Sequence, residues 1–178
     1  MKKRIVHVFG ASGAGTSTLG RALTEYGYTH LDTDDYYWKP TDPMFLASRP
    51  KEERVQLLAR DIAGCRKCSI TGSLTGWGDV FIPQFTLAVW LLTSTNLRIE
   101  RLERREYERF GERICPGGDM YEEHIRFIEW AKTYDTAIDD SRNRLTHTNW
   151  SHLLQCPLIV LDGSRPVEQL VQSVLATL

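Results

Sequence analysis

Behind the apolar run Ile5-Val6-His7-Val8-Phe9 the chain reads Gly-Ala-Ser-Gly-Ala-Gly-Thr-Ser over residues 10–17, which meets the phosphate-binding pattern G-x-x-x-x-G-K-[ST] at every fixed position except one. Thr16 stands where the pattern has lysine. Loops of this kind hold an anion because a glycine-rich turn aims backbone N–H groups inward while the helix behind it adds its positive end. Most of that donation is main-chain. Gly10, Ser12, Gly13, Ala14, Gly15, Thr16, Ser17 and Thr18 can therefore still cradle the phosphates of ATP. Ser17 or Thr18 offers a hydroxyl to Mg2+ beside the β- and γ-phosphates. The lysine would add a charge-assisted contact of about 1.5–3 kcal/mol. Its loss weakens binding or slows transfer without abolishing the cradle, and another cation could cover the position.

Three further stretches carry chemistry. Leu31-Asp32-Thr33-Asp34-Asp35-Tyr36-Tyr37-Trp38 sets carboxylates and aromatic rings behind a short strand, where open parallel sheets bind ligands. A carboxylate there can accept a hydroxyl proton, or, as Asp35 could, do no more than cap a helix. Thr71-Gly72-Ser73-Leu74-Thr75-Gly76-Trp77-Gly78-Asp79 is a second glycine-rich strand exit. Gly72 and Trp77 would let backbone or ring approach a flat acceptor, with Asp79 as a candidate contact, and a plain turn is the alternative. From Arg98 to Arg113, Arg101, Arg105 and Arg109 recur at intervals of four, so on a helix like charges stack at a cost of about 0.2–0.5 kcal/mol per pair. Either interleaved acids offset this, Glu100 and Glu108 with Arg104, or guanidinium forks grip a polyphosphate.

The elements that must position these residues alternate. Strands are expected at Arg4 to Phe9, Tyr28 to Leu31, Cys68 to Thr71, Leu87 to Leu92 and Leu158 to Leu161. Helices are expected at Ser17 to Tyr26, Glu52 to Gly64, Asn96 to Phe110, Met120 to Ile138 and Pro166 to Leu178, with a flexible loop over Gly111 to Gly118. Strands separated by helices imply parallel pairing and right-handed crossovers, hence an α/β fold of three layers, α/β/α, around a parallel sheet of about five strands. Leu87 to Leu92, the most apolar run, reads as a central strand buried on both faces. The 178 residues, 42% hydrophobic and 25% charged, suit a single domain over 1–178 with one sizeable core. A net charge of -1 gives no general attraction to nucleic acid or an anionic membrane. The basic start Met1-Lys2-Lys3-Arg4 is followed by too short an apolar stretch for a signal peptide, no span of membrane length occurs, and four cysteines without a secretion signal fit free thiols in the cytoplasm.

Other patterns carry less. Cys65-Arg66-Lys67-Cys68 has C-x-x-C spacing but no second pair to complete a zinc site. His147 and His152 lack the H-E-x-x-H arrangement. Phe127, Trp130 and Tyr134 have helical spacing and read as residues that pack a helix on the sheet.

The loop, the short strands and the arginine-rich helix together resemble the nucleoside monophosphate kinase group of P-loop proteins, which includes adenylate, cytidylate, shikimate and gluconate kinases. The resemblance covers nearly the whole chain in element order, and only the phosphate loop and R-x-x-x-R are specific in residues. It implies an ATP- and Mg2+-dependent kinase acting on a small-molecule phosphate acceptor. A nucleoside monophosphate is the leading acceptor by the arginine count; a hydroxyl acceptor of the shikimate or gluconate kind is the alternative, and a nucleotide-binding sensor or assembly protein with little turnover is a third. In this resemblance Asp34 matches the aspartate that meets an acceptor hydroxyl and Asp32 one that acts on magnesium through water, with Asp35 interchangeable. Arg101 and Arg105 match the R-x-x-x-R pair at the hinge of a small mobile lid around 106–119, which would carry Arg109 and Arg113. Arg142 or Arg144 matches later arginines aimed at acceptor and transferred phosphates. Such arginines could make up for Thr16. The turn Asp162-Gly163-Ser164-Arg165-Pro166 matches the loop beside the adenine ring, or is an ordinary turn.

Overall fold

The computed structural model describes residues 3–178; Met1 and Lys2 of the basic start lie outside them. Strands β1 (Arg4–Gly10), β2 (Thr29–Asp32), β3 (Lys67–Thr71), β4 (Leu87–Leu92) and β5 (Leu158–Asp162) form one sheet in the order β2-β3-β1-β4-β5, every pairing parallel. The run 87–92 is interior, between β1 and β5, while β1 takes the middle of the sheet. Alternation along β1 builds two cores. Ile5 and Phe9 point into a cluster with Leu58, Ile62, Trp77, Phe81 and Trp150, and Val6 and Val8 into one with Leu19, Leu23, Leu170 and Val174. Helices on both faces make the third layer: α1 (Thr16–Ala22) and α7 (Val167–Thr177) on the second cluster, α3 (Lys51–Gly64) and α6 (Arg144–Ser151) on the first. This is a P-loop kinase-like fold.

The structure departs from expectation where short helices were not foreseen. Residues after β2 coil as α2 (Thr33–Tyr37), begun by Asp32, whose side chain accepts from Asp34 N–H; Asp32, not Asp35, is the cap. The helix expected from 120 to 138 is α5 (Tyr121–Lys132) followed by a 3-10 turn, Thr133–Asp135. Helix α6 starts at a reciprocal cap between Asn143 and Thr146 and buries His147 and Trp150. The segment expected as a flexible loop holds a 3-10 turn, Gly111–Ile114, with Gly118 N–H on Cys115 O at 2.8 Å and Met120 N–H on Arg113 O at 2.9 Å.

The arginine-rich segment is α4 (Thr95–Phe110). Its buried stripe is Arg98, Leu102 and Glu106, the last two one residue on from Arg101 and Arg105. Leu102 packs on Ile128 and Ala131 of α5, so α5 lies on α4, and its Phe127 and Trp130 turn toward a cleft instead of the sheet. Arg98 is fully buried with every nitrogen engaged: Nε donates to Thr93 O at 3.1 Å, Nη1 to Ala131 O at 3.0 Å, and Nη2 to Thr95 Oγ1 at 2.9 Å and Asp135 Oδ2 at 3.0 Å. It therefore welds α4, the end of β4 and the end of α5 into one unit. Arg98→Ala leaves the carbonyls of Thr93 and Ala131 without their guanidinium donor, takes one of its partners from Asp135 and leaves a void behind, and is expected to cost about 3 kcal/mol or more in denaturant unfolding; a cost below about 0.5 kcal/mol, typical of surface sites, would contradict that role.

Candidate functional site

The phosphate loop leaves β1 at Gly10 and enters α1 at Thr16. Two of its glycines need the left-handed region, Gly13 at φ 79° and Gly15 at φ 102°. A Cβ on Gly13 would fall 2.6 Å from Arg98 O, so the loop rests directly on the backbone of α4. The first helical bond runs from Leu19 N–H to Gly15 O at 3.0 Å, which leaves the N–H groups of Thr16, Ser17 and Thr18 without a partner four residues back. Gly10, Ser12, Gly13, Gly15, Thr16, Ser17 and Thr18 line a cleft of about 1600 Å³. Ala14 does not. It is buried in the core and gives its N–H to Ala11 O at 3.0 Å, which removes it from the set of phosphate donors.

Of the two hydroxyls left open by the sequence, Ser17 is the one joined to a carboxylate: its Oγ donates to Asp32 Oδ2 at 2.6 Å. The other oxygen of Asp32 accepts from Asp34 N–H at 3.1 Å. Among the described residues no cluster of three or more His, Cys, Asp or Glu side chains could hold a metal. One hydroxyl and one carboxylate suit Mg2+, which favours hard oxygens and takes the rest of its shell from ligand phosphates and water.

Asp34 and Asp35 are distinguishable by their surroundings. Burial in the cleft and the Asp32 carboxylate hold Asp34 above the ordinary carboxyl range, against the pull of Arg142 and Arg105. Asp35 is raised by the same two causes but faces His30 and Arg49. Asp34 thus lies with the arginines of the phosphate side, Asp35 with a separate patch.

The ladder divides its work. Arg101 Nη1 donates to Gly163 O at 3.0 Å and lies 3.5 Å from the carbonyls of Gly13 and Ala14, tying the loop to the turn after β5. Arg105 is held by Glu106 at 2.9 Å. Arg109 lies over the rings of Phe45, at 5.4 Å, and Phe110, at 5.8 Å, in the far half of the cleft. Among the described residues Arg104 pairs with neither Glu100 nor Glu108; the interleaved acid that meets the ladder is Glu106, on Arg105. Arg113 is clamped between Asp42 at 2.8 Å and Asp119 at 2.7 Å. Arg142 reaches the loop itself, Nη2 donating to Ser12 Oγ, with its guanidinium 5.1 Å from the Trp130 ring. Arg144 instead pairs with Asp135 at 3.3 Å.

On the other wall, Gly72 is at φ 107° and a Cβ there would fall 1.9 Å from Thr33 Oγ1, so this strand exit is pressed onto α2. Trp77 is buried at the cleft wall and its Nε1 donates to Ser73 O at 3.2 Å. Asp79 is not at the cleft: its Oδ1 accepts from Trp150 Nε1 at 2.8 Å, fastening α6. His147 is buried between Tyr134 OH at 2.7 Å and Ser73 Oγ at 3.1 Å, and burial pushes its pKa down to about 3, so it is neutral. Cys68 is buried, with its thiol pushed up to about 12 by burial, and Cys65 donates to Asp61 O at 3.1 Å. Tyr37 and Trp38 of the acidic, aromatic stretch line the cleft as expected; Phe45 and Arg49 also line it and were not singled out from sequence. For Phe45 the signal was present in Met44-Phe45-Leu46, apolar groups inside the loop bracketed by Pro40, Pro43 and Pro50, where burial on the sheet would not be expected.

No family model matches the chain. It is 42% identical over 176 residues to the "Uncharacterized protein YqaC" of Bacillus subtilis (strain 168), covering 98% of this chain and 97% of that one. It is 26% identical over 113 residues to a cytidylate kinase of Thermococcus sibiricus (strain DSM 12597 / MM 739), covering 57% of each. Among solved structures, shikimate kinase from Bacteroides thetaiotaomicron superposes with a TM-score of 0.58 at 17% identity, covering 97% of both chains. Among the described residues no helix is long and apolar enough to cross a membrane.

The geometry separates an arginine that lines the cleft from an aspartate that fastens α6. Arg105→Ala is expected to weaken tripolyphosphate binding in calorimetry, by a factor that shrinks as salt rises, with the unfolding midpoint unchanged. Asp79→Ala is expected to do the reverse, leaving binding intact and lowering the midpoint by about 2–4 °C. Unchanged affinity in Arg105→Ala would make α4 a solvated face.

Proposed function

The chain belongs to one family with YqaC of Bacillus subtilis and has a P-loop kinase-like fold, and we propose that it is an ATP- and Mg2+-dependent kinase of a small acceptor, with a nucleoside monophosphate as the leading acceptor. The observation that carries the reading is the placing of Asp34 in one cleft with the phosphate loop, facing Arg142 and Arg105. Bound ATP with Mg2+ would supply the transferable phosphoryl group. The loop backbone from Gly10 to Thr18 would hold its phosphates, and Ser17 with Asp32 would hold the metal ion. Asp34 would accept the acceptor's proton or orient the attacking oxygen, and the arginines would balance charge on the phosphoryl group, where positioning and electrostatics do most of the work.

The far half of the cleft supports the choice of acceptor. Trp38, Phe45 and Phe127 offer flat apolar surface for a base, and Arg109 stands over the Phe45 ring to meet an acceptor phosphate. A hydroxyl acceptor is the second reading, favoured by Asp34 itself, since a carboxylate is of most use where a neutral hydroxyl must lose its proton. We also place the protein in the cytoplasm and take residues 106–119 as a lid that moves over the cleft.

ADP formation from Mg-ATP by the purified full chain, followed against nucleoside monophosphates, shikimate and sugar acids, tests this. Turnover with a nucleoside monophosphate is expected; turnover with shikimate or a sugar acid alone would favour the second reading, and tight ATP binding with no turnover on any acceptor would replace both with a nucleotide sensor. On the hydroxyl reading, Asp34→Asn is expected to lower transfer by about 10²–10⁴-fold while nucleotide affinity holds. Because the Asp34 pKa is raised, acidification should reduce kcat/KM from a pH above the usual aspartate range, as the carboxylate takes up its proton, and Asp34→Asn should remove that limb. Equal loss of binding and transfer would take Asp34 out of the chemistry.

A further inference from the structure

This inference rests on the reading that the loop holds nucleotide phosphates. We propose that Arg142 supplies the cation the loop lacks at position 16: from the turn before α6 its guanidinium meets the terminal phosphates of ATP and replaces the loop lysine for this chain.

The other cations near the loop are committed or distant. Arg101 is turned to the carbonyl oxygens of Gly13, Ala14 and Gly163, acceptors that already occupy its guanidinium. Arg105 is anchored on Glu106, and Arg109 stands over Phe45 and Phe110. Arg21, Lys39 and Arg104 are exposed at the rim of the cleft. Arg142 differs on three counts. It bonds a loop side chain, Ser12 Oγ, inside the cradle segment. Its Nε is buried without a hydrogen-bond partner. Its charge faces Asp34 and, more weakly, Asp32, the carboxylates of the proposed transfer site, with Arg105 as the opposing cation.

A buried donor with no partner is costly, and a phosphate oxygen arriving at Ser12 would remove that cost while accepting from the guanidinium fork. The turn that presents Arg142 is rigidly made. Asn143, fully buried, accepts from Thr146 N–H at 2.8 Å and donates to Asp139 O at 2.8 Å, while Trp130 lies against the guanidinium. Such an arrangement holds a cation in place without the flexible stem of a lysine. It also accounts for a loop that keeps its glycines and its Ser17 but has given up its lysine.

The test is calorimetric titration of the full chain with Mg-ATP and Mg-ADP in four forms: wild type, Arg142→Gln, Arg142→Lys and the double variant Thr16→Lys/Arg142→Gln, each checked for an unchanged unfolding midpoint. Arg142→Gln keeps most of the stem and a donor for Ser12, so it removes chiefly the charge. It is expected to weaken ATP about tenfold or more and ADP less. Arg142→Lys, which keeps the charge should the glutamine fail to fold, is expected to stay within about threefold of wild type, a loss of under 1 kcal/mol. The double variant is expected to regain most of the lost ATP affinity, because the lysine returns to the position the loop pattern assigns it. Wild-type affinity in Arg142→Gln, or a double variant no better than Arg142→Gln, would overturn the inference while leaving nucleotide binding intact. A wild type that binds neither nucleotide would overturn the nucleotide reading itself, and this inference with it.

Discussion

The contact between Gly13 and the backbone of α4 governs the arrangement of everything else in the cleft. At this point the phosphate loop and the arginine helix touch main chain to main chain, with room for no side chain between them. The carbonyl it meets belongs to Arg98, whose own side chain is buried in bonds to the end of β4 and the end of α5. Loop, helix and the α5 region are thereby held at fixed distances. The next residues along the helix, Arg101 and Arg105, are set beside the loop as a consequence of that seat. A parallel sheet supplies the platform, since strand ends at one edge bring Gly10, Asp32 and Gly72 to the same cleft from β1, β2 and β3 and their exits.

The electrostatics of the cleft follow from where each charge is anchored. The Asp32 carboxylate disfavours the ionisation of Asp34, and Arg142 and Arg105 offset that. An incoming polyphosphate would add negative charge to a site that already holds carboxylates, so its reception depends on backbone donors and on guanidinium groups not already used in internal pairs. The arginine ladder, read as one uniform basic face, is in the structure three separate devices: a tie between loops, a group at the carboxylates, and a cap on aromatic rings.

Much of this was legible in the chain. The phosphate loop, β1, β4 and α4 carry apolar or strictly spaced patterns, and these and the three shorter strands stand within a residue or so of where the sequence puts them. Short elements were not legible. Helix α2 has five residues and no apolar period to reveal it, and α6 is started by Asn143 and Thr146, a cap without the glutamate that usually marks one. Asp79 shows why site residues are harder than elements: a carboxylate at a glycine-rich strand exit has the right address for ligand contact, but a tryptophan seventy-one positions away claims it. Ala14 fails for a local reason, a turn bond to Ala11 that spends its N–H. Phe127 and Trp130 have the spacing of a helix packed on a sheet, yet their helix packs on α4, an element that sequence distance alone does not bring near.

The central claim is that residues 10–18, although without a lysine, are a nucleotide phosphate site closed from the side by α4. Hydrogen–deuterium exchange of the full chain with and without Mg-ATP tests it most directly, because it reads the loop itself. The account predicts slowed exchange at the amides of Ser12, Gly13 and Thr16 to Thr18, together with slowing in the turn that carries Arg142. Saturating Mg-ATP with no change in exchange over residues 10–18 would contradict it.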